Sequence, residues 1–134
     1  MRFQNWPERL HALLVESQNK PFTWGEHDCC AFAAKAVLEI TGVDHFSAFS
    51  GTYSTAIEAA RVLRKNGGIR GIATSAMGSP IPAQTASRGD VVLVNTPDYG
   101  DTLAVCIGDR CAAPGNHTIC YMPMSSAHVA WRVA

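Results

Sequence analysis

Charge is scarce in this sequence. Only 16% of its 134 residues are Asp, Glu, Lys or Arg, and eleven basic residues against eleven acidic ones leave no net charge at pH 7. No run of Lys or Arg offers an electrostatic footprint for phosphates or anionic lipid, so nucleic acid is not an expected partner. Uninterrupted apolar runs are short as well, and no membrane-spanning segment is expected. The opening stretch is broken by Trp6, Pro7, Glu8 and Arg9, which leaves no apolar core for a signal peptide. The expectation is a chain made and folded in a cytoplasm. Metal-ligand spacing is missing too: the cysteines number five, Cys29 and Cys30 are adjacent, and Cys106, Cys111 and Cys120 match no standard zinc pattern. Free thiols are expected, with no metal and no cofactor. There are no internal repeats and no low-complexity tracts.

Hydrophobic residues, by contrast, make up 47% of the chain, which suits one compact domain spanning residues 1–134 with its own core. Its densest stretch runs from Asp28 to Ile40. Between Cys29 and Ile40 only Lys35 and Glu39 are charged, and at a spacing of four they share one narrow stripe, so every other face of a helix here is apolar. The pattern predicts a buried central helix. Asp28 stands at its N-cap, where a carboxylate accepts from the free N–H groups of the first turn and suits the positive end of the dipole. Thr41-Gly42 ends it. Cys29 opens the helix, a position that stabilises a thiolate and is one way to make cysteine nucleophilic. Two adjacent cysteines also read as small core residues, and spacing alone leaves both readings open.

Around this helix the remaining elements fall in sequence. Trp6, Leu10, Leu13 and Leu14 recur at helical spacing, predicting an amphipathic helix from Trp6 to Glu16 with Asn5 as its cap. Residues 43–52 read as loop. Ser54 is placed as the cap of a third helix, Thr55 to Lys65, with Ile57, Ala60, Val62 and Leu63 facing inward. Residues 69–87 carry Gly, Ser, Pro and Ala without a sustained period and read as a connecting segment with one short element near Ile72 to Met77. Short strands follow at Asp90 to Val94, Thr102 to Ile107, Arg110 to Ala113, His117 to Met122 and His128 to Val133, separated by turn residues. Helices first and strands afterwards predict an α+β fold, with the buried helix against one face of a C-terminal antiparallel sheet or half-barrel.

Phe22, Trp24 and Gly25 followed by Asp28-Cys29-Cys30-Ala31-Phe32 resemble the signature of the NlpC-type, papain-like cysteine peptidases, in which an aromatic-x-Trp-Gly turn precedes Asp-Cys-Ser-Gly-Phe at the start of the nucleophile helix. Gly89-Asp90-Val91-Val92-Leu93 and Leu103 to Gly108 resemble two successive strands of that family, in the same order. The resemblance covers Phe22 to Ala113 and implies Cys29 as nucleophile. Small chains with Asp-Cys-Cys, Thr41-Gly42-Val43-Asp44 and an Ala130-Trp131-Arg132-Val133 ending are similar to proteins encoded among phage tail genes.

The departures bear directly on chemistry. In the family the general base is a histidine opening the second of those strands, and the residue here is Thr102. The polar group that orients that histidine falls in a stretch matched here by Cys111-Ala112-Ala113-Pro114, which offers none. A proton-transfer group contributes about 10²–10⁴-fold to rate, so its loss removes efficient amide hydrolysis. His117, just past the orienting position, is the candidate substitute base; as a residue following Gly115-Asn116 it also reads as an exposed loop histidine. His27 reads as facing solvent before the helix, His128 opens a strand too late in the chain, and His11 and His45 read as surface residues.

Three functions follow as expectations. The first is a structural component of a phage tail tip, a tail assembly protein located in the virion, whose NlpC-like fold has lost peptidase activity and which binds other tail-tip proteins through Trp6, Tyr99, Tyr121, Met122 and Met124, with Trp131 reserved for the core. The alternative is an active cysteine peptidase or amidase that cleaves peptidoglycan stem peptides with Cys29. A third is a thiol acyltransferase or metal-binding module using Cys29 and Cys30, for which no further ligand spacing is present.

Overall fold

Cys29–Thr41 forms the helix around which the rest of the protein is packed, the second in chain order (α2). A computed structural model describes residues 1–134. Phe32, Ala33, Ala36, Val37 and Ile40 of α2 are fully buried, which fixes the helix by its apolar surface rather than by intrinsic propensity. Asp28 caps its start through a hydrogen bond from the Ala31 amide to Oδ1 at 2.8 Å. Gly42 ends it in the left-handed region at φ 77°, where a side chain would also collide with the ring of Phe3.

The first helix, α1 (Trp6–Ser17), lies against α2 and buries Leu10 and Leu13. The third, α3 (Ala56–Lys65), is capped by Thr55 and not by Ser54: the Thr55 hydroxyl accepts from the Glu58 amide, while Ser54 donates its amide and hydroxyl to the Glu58 carboxylate. Val62 and Leu63 pack inward as expected, Ala59 is buried in place of Ala60, and Ile57 is 68% exposed. The cause is the shallow seat of α3, which packs mainly on the next helix.

That next helix is the main departure from the sequence reading. Gly68–Met77 forms a full α4 where only a short element near Ile72 to Met77 was expected within a connecting segment. Ile69, Ile72 and Ala73 are buried and Ala76 and Met77 pack beside them, a helical spacing that Gly68, Gly71, Thr74 and Ser75 disguise in the sequence. Thr74 also accepts a hydrogen bond from the Trp131 indole at 3.3 Å.

The strands are β1 (Ile81–Pro82), β2 (Val91–Thr96), β3 (Gly100–Cys106), β4 (Arg110–Pro114), β5 (Ile119–Pro123) and β6 (Ala127–Trp131). They form one antiparallel sheet in the order β1-β6-β2-β3-β4-β5. Val91, Leu93, Leu103, Val105 and Trp131 face α2 in the principal core. Val92, Val94, Ala104, Cys106, Cys111 and Ala130 form a second cluster on the opposite face. Ile81 from one edge strand and Met122 from the other both pack on that second cluster, so the sheet curls round it. Burial on both faces explains why β2 reads as a continuous apolar run instead of alternating. The α+β fold and the helix-on-sheet layering are those expected from the sequence.

The two ends of the chain are tied together at Asp90, whose side chain is wholly buried. Arg2 reaches its Oδ1 at 2.9 Å and also donates to the carbonyls of Val133 and Arg88, both at 2.7 Å. The amides of Val133 and Ser87 complete the shell around the carboxylate, each at 3.0 Å.

Candidate functional site

Cys29 sits on the wall of a cleft of about 130 Å³ between the start of α2, the α3–α4 pair and the first half of β3. The turn that delivers it is set by backbone geometry. Gly25 has φ 81°, and any side chain there would strike the carbonyl of Tyr53. Thr23 and His27 exchange backbone hydrogen bonds that close the turn, 3.1 and 2.8 Å long. Asp28 then does more than cap. Its Oδ2 accepts from the Gly25 amide at 2.8 Å and from the Tyr53 hydroxyl at 2.7 Å, so one carboxylate joins the turn, the helix and the loop before α3. Burial, with the hydrogen bond to Asp28 second, pushes the Tyr53 phenol well above the usual tyrosine range.

The two adjacent thiols are inequivalent. The Cys29 pKa is lowered, chiefly by the adjacent Cys30 thiol and with help from the Leu103 backbone, while burial opposes the shift. Cys30 is driven strongly upward by the Cys29 thiol and by burial. The positive end of α2 acts on Cys29 in the same direction. Both influences pull the Cys29 thiol down, while Cys30 is pushed up.

Two other positions singled out by the sequence come to this cleft, and the histidines do not. Thr102 lines the same cleft as Cys29, and so does Pro114, the last residue of the stretch matched to the orienting group. Thr102 is buried and its hydroxyl donates to the Gly100 carbonyl at 3.2 Å. No histidine lines the cleft. His117 is exposed in the turn between β4 and β5, beyond the cleft wall; its neighbour Asn116 accepts from the Tyr99 hydroxyl at 2.6 Å and from the Phe22 amide at 3.1 Å. His128 and His11 are exposed, and His45 is half-buried.

His27 does not face solvent as expected. It is 4% exposed, its ring stands edge-on to Phe32, and neither ring nitrogen has a hydrogen-bond partner. The reversal comes from the Thr23 bridge, which turns residue 27 under the end of the helix. Burial lowers the His27 pKa, the charges of Lys35 and Lys20 add to this, and Asp28 opposes it.

Sequence reasoning missed three parts of the site. Tyr53 lies far from Asp28 in the chain and carries no local signal. Ile69 and Ile72 form a wall only because α4 exists. The rim is aromatic: Phe22 meets Trp24 edge-on at 4.9 Å and stacks at 6.2 Å on Tyr99 of the β2–β3 turn, a meeting of distant segments. Trp24 and Tyr99 remain 39% and 44% exposed, so the rim is open. No group of three or more His, Cys, Asp or Glu side chains is gathered to hold a metal ion.

A family model described as a domain of unknown function, DUF6950, matches residues 1–133. The chain belongs to that family. No curated protein matches it. Among solved structures it is similar to the crystal structure of the NlpC/p60 domain of the peptidoglycan hydrolase SagA, with a TM-score of 0.55, 15% identity, and coverage of 94% of this chain and 97% of that one. At that identity the likeness carries the fold, which is NlpC-like.

Proposed function

We propose that this domain is a structural component of a phage tail tip, made in the host cytoplasm and carried in the virion, that keeps an NlpC-type scaffold without its hydrolytic chemistry. The observation that carries the loss of hydrolysis is the convergence of Cys29, Thr102 and Pro114 on one cleft with no histidine among its lining residues. A thiolate without a group to protonate the leaving amine lacks the proton transfer on which amide cleavage depends. The tail-tip assignment rests on the sequence features around Asp28-Cys29-Cys30 and Ala130 to Val133. Of the aromatic and Met residues proposed to meet neighbouring tail proteins, Tyr99 and Tyr121 are exposed, Trp6, Met122 and Met124 are half-buried, and Trp131 is a core residue.

The lowered Cys29 pKa favours a second reading, a peptidase acting on peptidoglycan stem peptides with Cys29 as nucleophile and His117 as base. One experiment separates them. Purified protein is incubated with muropeptides while a phage carrying Cys29→Ala is scored for tail assembly and infectivity. The structural reading expects no cleavage and intact infectivity, whereas cleavage that the substitution abolishes establishes the peptidase.

A further inference from the structure

The cleft beside Cys29 does not end at its own wall. Tyr99, Thr102 and Pro114 also line a groove of about 300 Å³ that continues over the β2–β3 turn toward Met122. The two hollows lie side by side and share Tyr99, Thr102 and Pro114 on their common border. Their electrostatics are one-sided: the charged lining residues are Asp28 and Asp101 in the cleft and Asp98 in the groove, and neither is lined by Lys, Arg or His. The Asp28 carboxylate is occupied by the Gly25 and Ala31 amides and the Tyr53 hydroxyl. Asp98 and Asp101 are exposed, and Asp101 accepts only from the Asn95 side chain, at 3.1 Å. Size gives the second constraint. A cavity of roughly 150 Å³ with apolar walls accepts benzene, and this one, at about 130 Å³, has the walls and volume for one branched or aromatic side chain.

We propose that the cleft and groove together hold an extended segment of a partner polypeptide, with a bulky apolar side chain seated beside Cys29 and a neighbouring lysine or arginine against Asp98 and Asp101. This rests on the reading that the cleft does not hydrolyse what it holds. Burial of the apolar side chain supplies the larger part of the affinity, roughly ten- to a hundredfold. The exposed carboxylates supply selection, about two- to fivefold each and less in salt. A carboxylate-rich chain is repelled by the same two residues.

The test uses acetylated, fluorescein-labelled hexapeptides of Gly and Ser that carry Leu or Phe beside two Lys, compared with counterparts carrying two Glu. Anisotropy should detect the basic peptides at least tenfold more tightly than the acidic ones, with affinity falling as salt rises. Asp98→Asn with Asp101→Asn should weaken the basic peptides several-fold and flatten the salt dependence. Ala59→Leu, which fills the cleft from α3, should weaken them about tenfold or more; its melting curve reports whether it folds, and the exposed Asp pair tests the site independently. Bound basic peptide should also slow alkylation of Cys29. Equal binding of acidic and basic peptides, no binding at millimolar concentration, or indifference to both sets of substitutions overturns the occupant and leaves the non-hydrolytic reading standing. Cleavage of a bound peptide, lost in Cys29→Ala, overturns the non-hydrolytic reading and leaves the binding site standing.

Discussion

The Tyr53 hydroxyl donates to Asp28 Oδ2 across 2.7 Å, joining the loop before α3 to the cap of α2. Because that oxygen also holds the Gly25 amide, the bond braces the turn from which Cys29 departs. Tyr53→Phe removes one donor and leaves the other, and should cost about 1 kcal/mol in urea denaturation. Asp28→Ala removes the cap and orphans three donors, and should cost about 2–4 kcal/mol. Similar losses for the two variants would contradict the bracing role assigned to Asp28.

Cys30 should control the reactivity of Cys29. Cys30 is the largest influence lowering the Cys29 pKa. Iodoacetamide at neutral pH should therefore modify Cys29 before the buried Cys106 and Cys111, whose thiols burial pushes upward, that of Cys111 to about 11. Cys30→Ala should raise the Cys29 pKa and slow its alkylation, whereas Cys30→Ser, which retains a donor, should change it less. Mass spectrometry of peptides after timed alkylation across pH 6 to 9 reads each site separately.

His27 should make stability fall in mild acid. Its folded-state pKa lies below the unfolded value because burial and nearby lysines disfavour the imidazolium. Below about pH 6.5 the unfolded chain binds a proton that the folded protein resists, so stability is full above that pH and is lost as pH falls toward the folded-state value. Melting temperature should drop between pH 7 and pH 5 beyond what His27→Phe shows over the same range. At pH 7 that variant should match or exceed the parent, since it removes two buried nitrogens without partners.

Arg2→Ala should be severe for a residue at the edge of the chain. It leaves the wholly buried Asp90 carboxylate without its only ion-pair partner, a loss of about 3–5 kcal/mol. Arg9→Ala provides the contrast, because the Arg9–Glu39 pair is well over a third exposed on both sides and should be worth about 0–1 kcal/mol. Denaturation midpoints of the two variants test the difference.

Local chemistry made much of this fold legible. Asp28, Cys29 and Gly42 announce α2 through cap, apolar run and terminator, and β2 and β3 stand out as apolar runs between turns. The cleft was legible as a set of positions, since Cys29, Thr102 and Pro114 were matched before their meeting could be seen. Its surroundings were not. Tyr53 reaches Asp28 only through the tertiary fold, α4 hides its period behind glycines and hydroxyls, and His27 is buried by a two-residue bridge to Thr23. The first depends on contact between distant segments, and the other two on local patterns that composition masks.

The tie at Asp90 gives the chain the topology of a nearly closed ring, because Arg2 touches the carbonyl of Val133. A short glycine-serine joint between the two ends would close that ring with little distortion. New ends could then be opened at an exposed turn such as Thr96 to Gly100, leaving the helix-on-sheet arrangement to form from a permuted order. Anything joined before Met1 or after Ala134 would emerge beside the other end, on one shared corner of the molecule.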